Sequence, residues 1–159
     1  AHMAGAAYAG GEPPRSASQR SLGGAAFYNI YATSDGQHIV LGGREMKFAR
    51  NLLRALGRED LIPLAGAEAG EAQAQAPLVE FLRTTFASQT RDQWEAWFAD
   101  KDVAFAPVLD FREAFAAPAL VERGLLSSEK GVHQLAPAIR FASDGEWHAR
   151  PAPELGVDG

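Results

Sequence analysis

Chemistry in this chain would have to come from its histidines, its close-spaced carboxylates, its serines or its glycine pairs. The four histidines do not combine. His2 belongs to the opening Ala1-His2-Met3, and His38, His133 and His148 share no metal-ligand spacing, so they read as solvated or hydrogen-bonded structural residues. Zero cysteines remove a thiolate metal site, a cysteine nucleophile and a disulfide framework together. No serine stands in a Gly-x-Ser-x-Gly elbow or beside a recognisable base. Asp100 and Asp102 flank Lys101 on a polar stretch that reads as solvated surface rather than an acid/base pair. Gly23-Gly24 and Gly42-Gly43 lack the flanking pattern of a phosphate loop or dinucleotide fingerprint, and taken alone they read as turns. Trp94, Trp97 and Phe98 recur at helical spacing, the mark of core packing rather than of a base-stacking face. Residue by residue, the chain shows no self-contained catalytic set and no metal site.

The elements that must position these residues are easier to read. A length of 159 residues, 47% apolar and 22% charged, suits one ordinary domain with a hydrophobic core. No window approaches the ~18 apolar residues of a membrane span. A net charge of −5 disfavours a nucleic-acid binder, and the absence of cysteine fits a reducing compartment, the cytoplasm. Residues 1–3 read as a cloning remnant, with no secretory signal behind them. Residues 4–22, rich in Ala, Gly, Ser and Arg around Pro13-Pro14, read as a linker or strap.

The β-favouring runs 27–32 and 37–41 flank Asp35-Gly36, a hairpin-turn pair. Ala49, Leu52, Leu53 and Leu56 fall on one helical stripe, which Gly57 should end in a left-handed conformation. A short amphipathic piece spans 59–64, and residues 65–75, without a large apolar side chain, read as a mobile loop. Pro77 is expected to open the next helix, whose inner face is Leu78, Phe81, Leu82 and Phe86. Thr90 and Gln93, then Asp110 and Glu113, have capping-box spacing. Between them 103–109 is a short β-run whose Pro107 points to an edge or strand end. Two short strands are expected at 132–135 and 138–141, a turn at Asp144-Gly145, and an extended tail over 151–159. The fold class is α+β, a small antiparallel sheet with several helices.

Several stretches in order resemble the small domain of family III CoA-transferases, the family of carnitine and formyl-CoA transferases and α-methylacyl-CoA racemases. They are Gly23-Gly24 before Phe27-Tyr28, Tyr31, Asp35-Gly36, Gly42-Gly43-Arg44-Glu45, and the helix Lys47-Phe48 through Leu52-Leu53 to Leu56-Gly57. Trp94, Ala106-Pro107-Val108-Leu109, Glu113-Ala114, Pro118, Arg123-Gly124 and Pro151-Ala152-Pro153-Glu154-Leu155-Gly156 continue it. The resemblance implies a small domain over 23–150, with a tail leading back to a large domain that this chain does not contain.

It also implies a reaction. In the transferases CoA passes between carboxylic acids through an aspartyl-CoA thioester on a large-domain Asp, so the nucleophile would be absent here. In the racemases, large-domain His and Asp residues exchange the α-proton. Gly23 and Gly24 match the glycine stretch that folds over the reacting thioester, and Tyr28 would line the acyl pocket or pack against the sheet. Glu45 matches a racemase-type glutamate that orients the catalytic base, against the plainer reading of a glutamate favoured by a helix dipole. CoA and acyl-CoA would be substrates, with no tightly bound cofactor and no metal. The partner would be the large domain of the same or a partner subunit in an interlocked homodimer, with no nucleic acid and no membrane. The alternatives are a racemase fragment and a non-catalytic dimerisation domain.

Overall fold

The computed structural model describes residues 5, 8–10, 23–43, 45–66, 72–129, 132–137, 139, 141, 143 and 156. The chain divides into two compact units, Ala1–Val108 and Leu109–Gly159. Of the segment 4–22, residues 5 and 8–10 are described, and they are helical and exposed.

In the first unit the sheet is antiparallel, in the order β1 (Asn29–Ala32), β2 (His38–Leu41), β3 (Phe105–Val108). The β1–β2 connection carries Asp35-Gly36 as expected, with Gly36 at φ +75°. Its Asp35 carboxylate accepts hydrogen bonds from the Thr33 hydroxyl, the Gln37 N–H and the Arg91 N–H, tying the turn to a helix start 56 residues away. β3 is an edge strand, which explains how Pro107 sits opposite Ile39 in a ladder that needs donors on one side alone.

Side chains alternate across the strands, and Tyr31, Ile39 and Leu41 turn inward to be buried. Helices cover that face: α1 (Met46–Ala55), a 3-10 turn (Glu59–Leu61) with α2 (Ile62–Ala65), α3 (Ala72–Phe86) and α4 (Arg91–Phe98). The α1 stripe Ala49, Leu52 and Leu53 is buried, and Gly57 lies beyond it at φ +67°. From α3 come Leu78, Leu82 and Phe86; from α4, Trp94 and Phe98. Each fully buried large apolar side chain contributes about 1.5–3 kcal/mol. Phe86 joins the layers: its ring centroid is 5.2 Å from Tyr31 and 5.1 Å from Trp94, the latter edge-on at 81°. The buried Trp94 indole N–H donates to the Phe86 carbonyl at 2.9 Å, supplying a donor that the end of α3 lacks. The Thr90 capping box forms in full.

The start of α3 departs from expectation. The helix begins at Ala72, five residues before Pro77, and Pro77 lies inside it. Pro77 removes one donor from the ladder, yet the turn before it consists of Ala and Gln, both good helix formers. Gln75 is also buried and accepts a hydrogen bond from the Ala26 N–H at 2.9 Å, a long-range tie with no periodic signal. Residues 67–71 lie outside the described residues.

In the second unit, α5 (Phe111–Ala116) carries the Asp110–Glu113 capping box. α6 (Pro118–Glu122) has proline in its first turn and Gly124 beyond it at φ +60°. β5 (Val132–Leu135) forms as expected, but its antiparallel partner is β4 (Leu126–Glu129), which the sequence reading passed over. Ile139 and Phe141 are not in a strand; Asp144-Gly145 and the tail, apart from Gly156, lie outside the described residues. Ala136 is the one buried side chain in this unit among the described residues.

Trp94→Phe keeps most of the packing but strips the donor from the buried Phe86 carbonyl. It is expected to cost about 1–3 kcal/mol, read from the midpoint of chemical unfolding. An unchanged midpoint would show that the bond contributes nothing net. Asp35 supplies a pH test. Its hydrogen bonds, from Thr33 first and then from the Arg91 and Gln37 N–H groups, hold its carboxyl below the usual value of 3.8 against the opposing effect of desolvation. A depressed folded-state pKa gives stability that is complete above 3.8 and is lost as pH falls through the lowered value. The Tm difference between the native chain and Asp35→Asn should therefore hold constant near neutrality and narrow in acid.

Candidate functional site

The outward face of the sheet follows from the same alternation that builds the core. Ile30, Val40 and Ala106 stand opposite one another in register across the three strands, and Ile30 is 59% exposed. Where this face meets the loop entering β1 there is a groove of about 590 Å³. Gly23, Tyr28 and Asn29 line it from the loop and the start of β1, with Ile30, and Val40, Leu41 and Gly42 line it from the end of β2.

The loop is held by named contacts. Gly23 has φ +87°, a conformation that favours glycine, and residues 25–28 form a turn in which the Tyr28 N–H donates to the Ala25 carbonyl at 3.1 Å. The Asn29 carboxamide donates to the Gly23 carbonyl at 3.0 Å. The Ala26 N–H goes to Gln75, and the Ala26 carbonyl accepts from the Tyr31 hydroxyl at 2.7 Å. Burial pushes the Tyr31 phenol far above its ordinary range, with the Arg83 charge opposing, so it remains a donor at physiological pH.

The second glycine pair has a different role. Gly42 extends the β2–β3 ladder through a bond from its N–H to the Ala104 carbonyl at 3.0 Å. A Cβ on Gly43 would collide with Phe48 Cδ2 and fall 2.6 Å from the Ala104 Cβ, so glycine is required there by close packing. Glu45 follows as the N-cap residue of α1. It is exposed, its backbone carbonyl accepts from the Phe48 N–H at 3.0 Å, and its side chain makes no capping bond. A carboxylate at that end of a helix is favoured by the helix dipole.

Among the residues singled out from sequence, Gly23 and Tyr28 therefore meet in one groove, with Tyr28 44% exposed. Gly24 is buried beside Gly23, and Glu45 lies outside the lining. Asn29, Ile30, Val40 and Leu41 were not singled out, and Gly42, which taken alone reads as part of a turn, lines the groove as well. One signal was present: Ile39-Val40-Leu41 is three apolar residues running, which in a strand means both faces are apolar.

The remaining described candidates do not join the groove. His38 and His133 are exposed strand residues, and His148 lies outside the described residues. Asp100 pairs with Lys101 and Asp102 with Lys47 on the surface. Among the described residues no three His, Cys, Asp or Glu side chains are grouped as metal ligands would be, and no helix is long and apolar enough to cross a membrane.

A family model, CoA-transferase family III, matches residues 1–159. The mouse (Mus musculus) alpha-methylacyl-CoA racemase is 33% identical over 136 residues, 84% of this chain and 31% of the racemase. The human (Homo sapiens) succinyl-CoA:glutarate CoA-transferase is 24% identical over 136 residues, 81% of this chain and 31% of that protein. Among solved structures, a CAIB/BAIF family protein from Brucella suis superposes with a TM-score of 0.68 at 25% identity, covering 90% of this chain and 38% of its own. The chain thus spans about a third of the length of the curated relatives it matches.

The two neighbouring glycines separate packing from conformational freedom. Gly43→Ala is expected to destabilise the chain by about 1–3 kcal/mol through overpacking against Phe48 and Ala104. Gly42→Ala, with nothing within 4 Å of the added carbon, should stay within about 0.5 kcal/mol. Equal unfolding midpoints for the two variants would refute the close-packing assignment.

Proposed function

The chain belongs to CoA-transferase family III, and from that premise we propose that it forms the small domain of an enzyme moving CoA between carboxylic acids. The observation that carries the reading is the groove. It joins Gly23 and Tyr28 to an apolar sheet face, and the Tyr28 phenol is the one titratable side chain among its described lining residues, with no carboxylate, imidazole or amine beside it. Such a surface suits a wall placed against chemistry supplied from elsewhere. The matched share of the relatives, 31%, leaves room for that chemistry in a large domain. The aspartyl-CoA thioester would form on an Asp of that domain, in the same or a partner subunit of an interlocked homodimer.

On this reading Gly23 and Gly24 fold over the thioester, because glycine lets backbone approach a reacting group closely. Tyr28 lines the acyl side of the groove. CoA and acyl-CoA are substrates, and an exchange of acyl partners moves no electrons and calls for no redox group. A cysteine-free sequence suits the cytoplasm as its site.

A second reading, an α-methylacyl-CoA racemase, is favoured by the 33% identity to the mouse racemase and by the exposed Glu45 at the start of α1. Its carboxylate would orient the imidazole that exchanges the α-proton. A third, a non-catalytic dimerisation domain, would leave the groove without a substrate.

Calorimetric titration of CoA and an acyl-CoA into this chain should show no binding up to millimolar ligand. Micromolar binding would overturn the reading of a partial site in favour of an independent acyl-CoA binder. In the full-length enzyme, transfer of CoA to an acceptor acid is expected. Deuterium uptake at the α-carbon of a 2-methylacyl-CoA in D2O, without acceptor, would identify the racemase instead. Gly24→Ala should lower turnover with assembly intact; unchanged turnover would leave the dimerisation domain standing.

A further inference from the structure

The Asn29 side chain spends both ends of its carboxamide on the backbone around the groove. Its nitrogen donates to the Gly23 carbonyl at 3.0 Å, and its oxygen accepts from the Ile30 N–H at 2.8 Å. Only this orientation of the amide pairs a donor with a carbonyl and an acceptor with an N–H, so its flip state is determined. The peptide unit is planar and trans, so a bond to the Gly23 carbonyl also fixes where the Gly24 N–H points. Gly23 itself, at φ +87°, has the wide backbone freedom of glycine and would otherwise rotate readily.

The other end of the loop is fixed by different residues. Ala26 is fully buried and bonded on both sides of its backbone, its N–H to Gln75 and its carbonyl to the Tyr31 hydroxyl. Gln75 stands on α3 and Tyr31 on β1, so Ala26 is fastened to the core. Ala25 is held to the start of β1 as well, its carbonyl accepting from the Tyr28 N–H at 3.1 Å, which leaves Gly23 and Gly24 as the short span beyond these anchors. Its other tether, the part-buried Asn29 amide, is a single neutral hydrogen bond of modest net strength.

We propose that Asn29 is a positioning residue for the glycine loop: it holds the Gly23–Gly24 peptide group in the orientation that shapes the groove mouth. Loosening on loss of that bond is thereby centred on Gly23 and Gly24, beyond the anchored Ala25 and Ala26. The proposal rests on the reading that this loop faces the reacting thioester.

Asn29→Asp tests it with almost no change of shape. A carboxylate still accepts from the Ile30 N–H but cannot donate to the Gly23 carbonyl, which it repels. Asn29→Ser is the companion variant, too short to span the contact. In this chain, the backbone NMR order parameters of Gly23 and Gly24 should fall from about 0.85 to below about 0.6 in both variants. Those of Leu82 and Phe86 in the core should not change. In the full-length enzyme, kcat for CoA transfer should drop about 10-fold with KM within about 2-fold, because the loop acts at the reacting group rather than in uniform binding.

The proposal fails if Gly24 stays rigid in both variants, or if the loop loosens and kcat does not move. A native enzyme that transfers no CoA would bring down the functional reading instead. The order parameters, read on this chain alone, would still decide the tether.

Discussion

The indole N–H of Trp94 and the carbonyl of Phe86 are both withdrawn from water, and each would lose its hydrogen bond if the other moved. In a buried setting the loss costs far more than the bond's modest net worth. That contact fixes the C-terminal end of α3 against α4, with the Phe86 ring between Tyr31 and Trp94. Because Tyr31 belongs to β1, the same cluster decides which face of the sheet turns inward. Ile30, Val40 and Ala106 are then committed to the opposite face, and the groove lies there as a consequence. The Tyr31 hydroxyl extends the chain of dependence to Ala26, and so to the glycine loop.

What could be read from sequence is what local chemistry specifies. The Thr90 and Asp110 boxes, the Asp35-Gly36 turn, the left-handed Gly57 and the edge placement of Pro107 each depend on a few adjacent residues, and each appears in the structure. The early start of α3 and the β4–β5 pairing were not legible in the same way. The first is secured by Gln75 reaching a backbone N–H 49 residues away. The second pairs Leu126 to Glu129, whose middle residues are serines with little strand preference of their own.

The site divides along the same line. Gly23, Gly24, Tyr28 and Glu45 were found through resemblance, since nothing in their spacing alone marks chemistry. The structure gathers Gly23 and Tyr28, buries Gly24 and leaves Glu45 at the helix start outside the groove. Asn29 carries no such mark because a polar residue opening a strand is ordinary, and its proposed positioning role rests on a bond to a carbonyl six residues back. The proposed assignment of reaction chemistry to another domain accounts for a groove with apolar walls, backbone polar groups and no carboxylate, imidazole or amine in its described lining.

Pro107 has a consequence beyond the fold of one molecule. An edge strand with a full row of free backbone donors and acceptors is a template on which another chain can add, and open apolar faces such as the one bearing Ile30 and Val40 make that growth more favourable. Pro107 takes a donor out of β3, a strand of only four residues. Chains meeting edge to edge along β3 would find the ladder broken near its middle. The proline thus breaks the row of donors that such growth would need, and it does so at the edge strand, leaving the apolar outward face of the sheet unaltered.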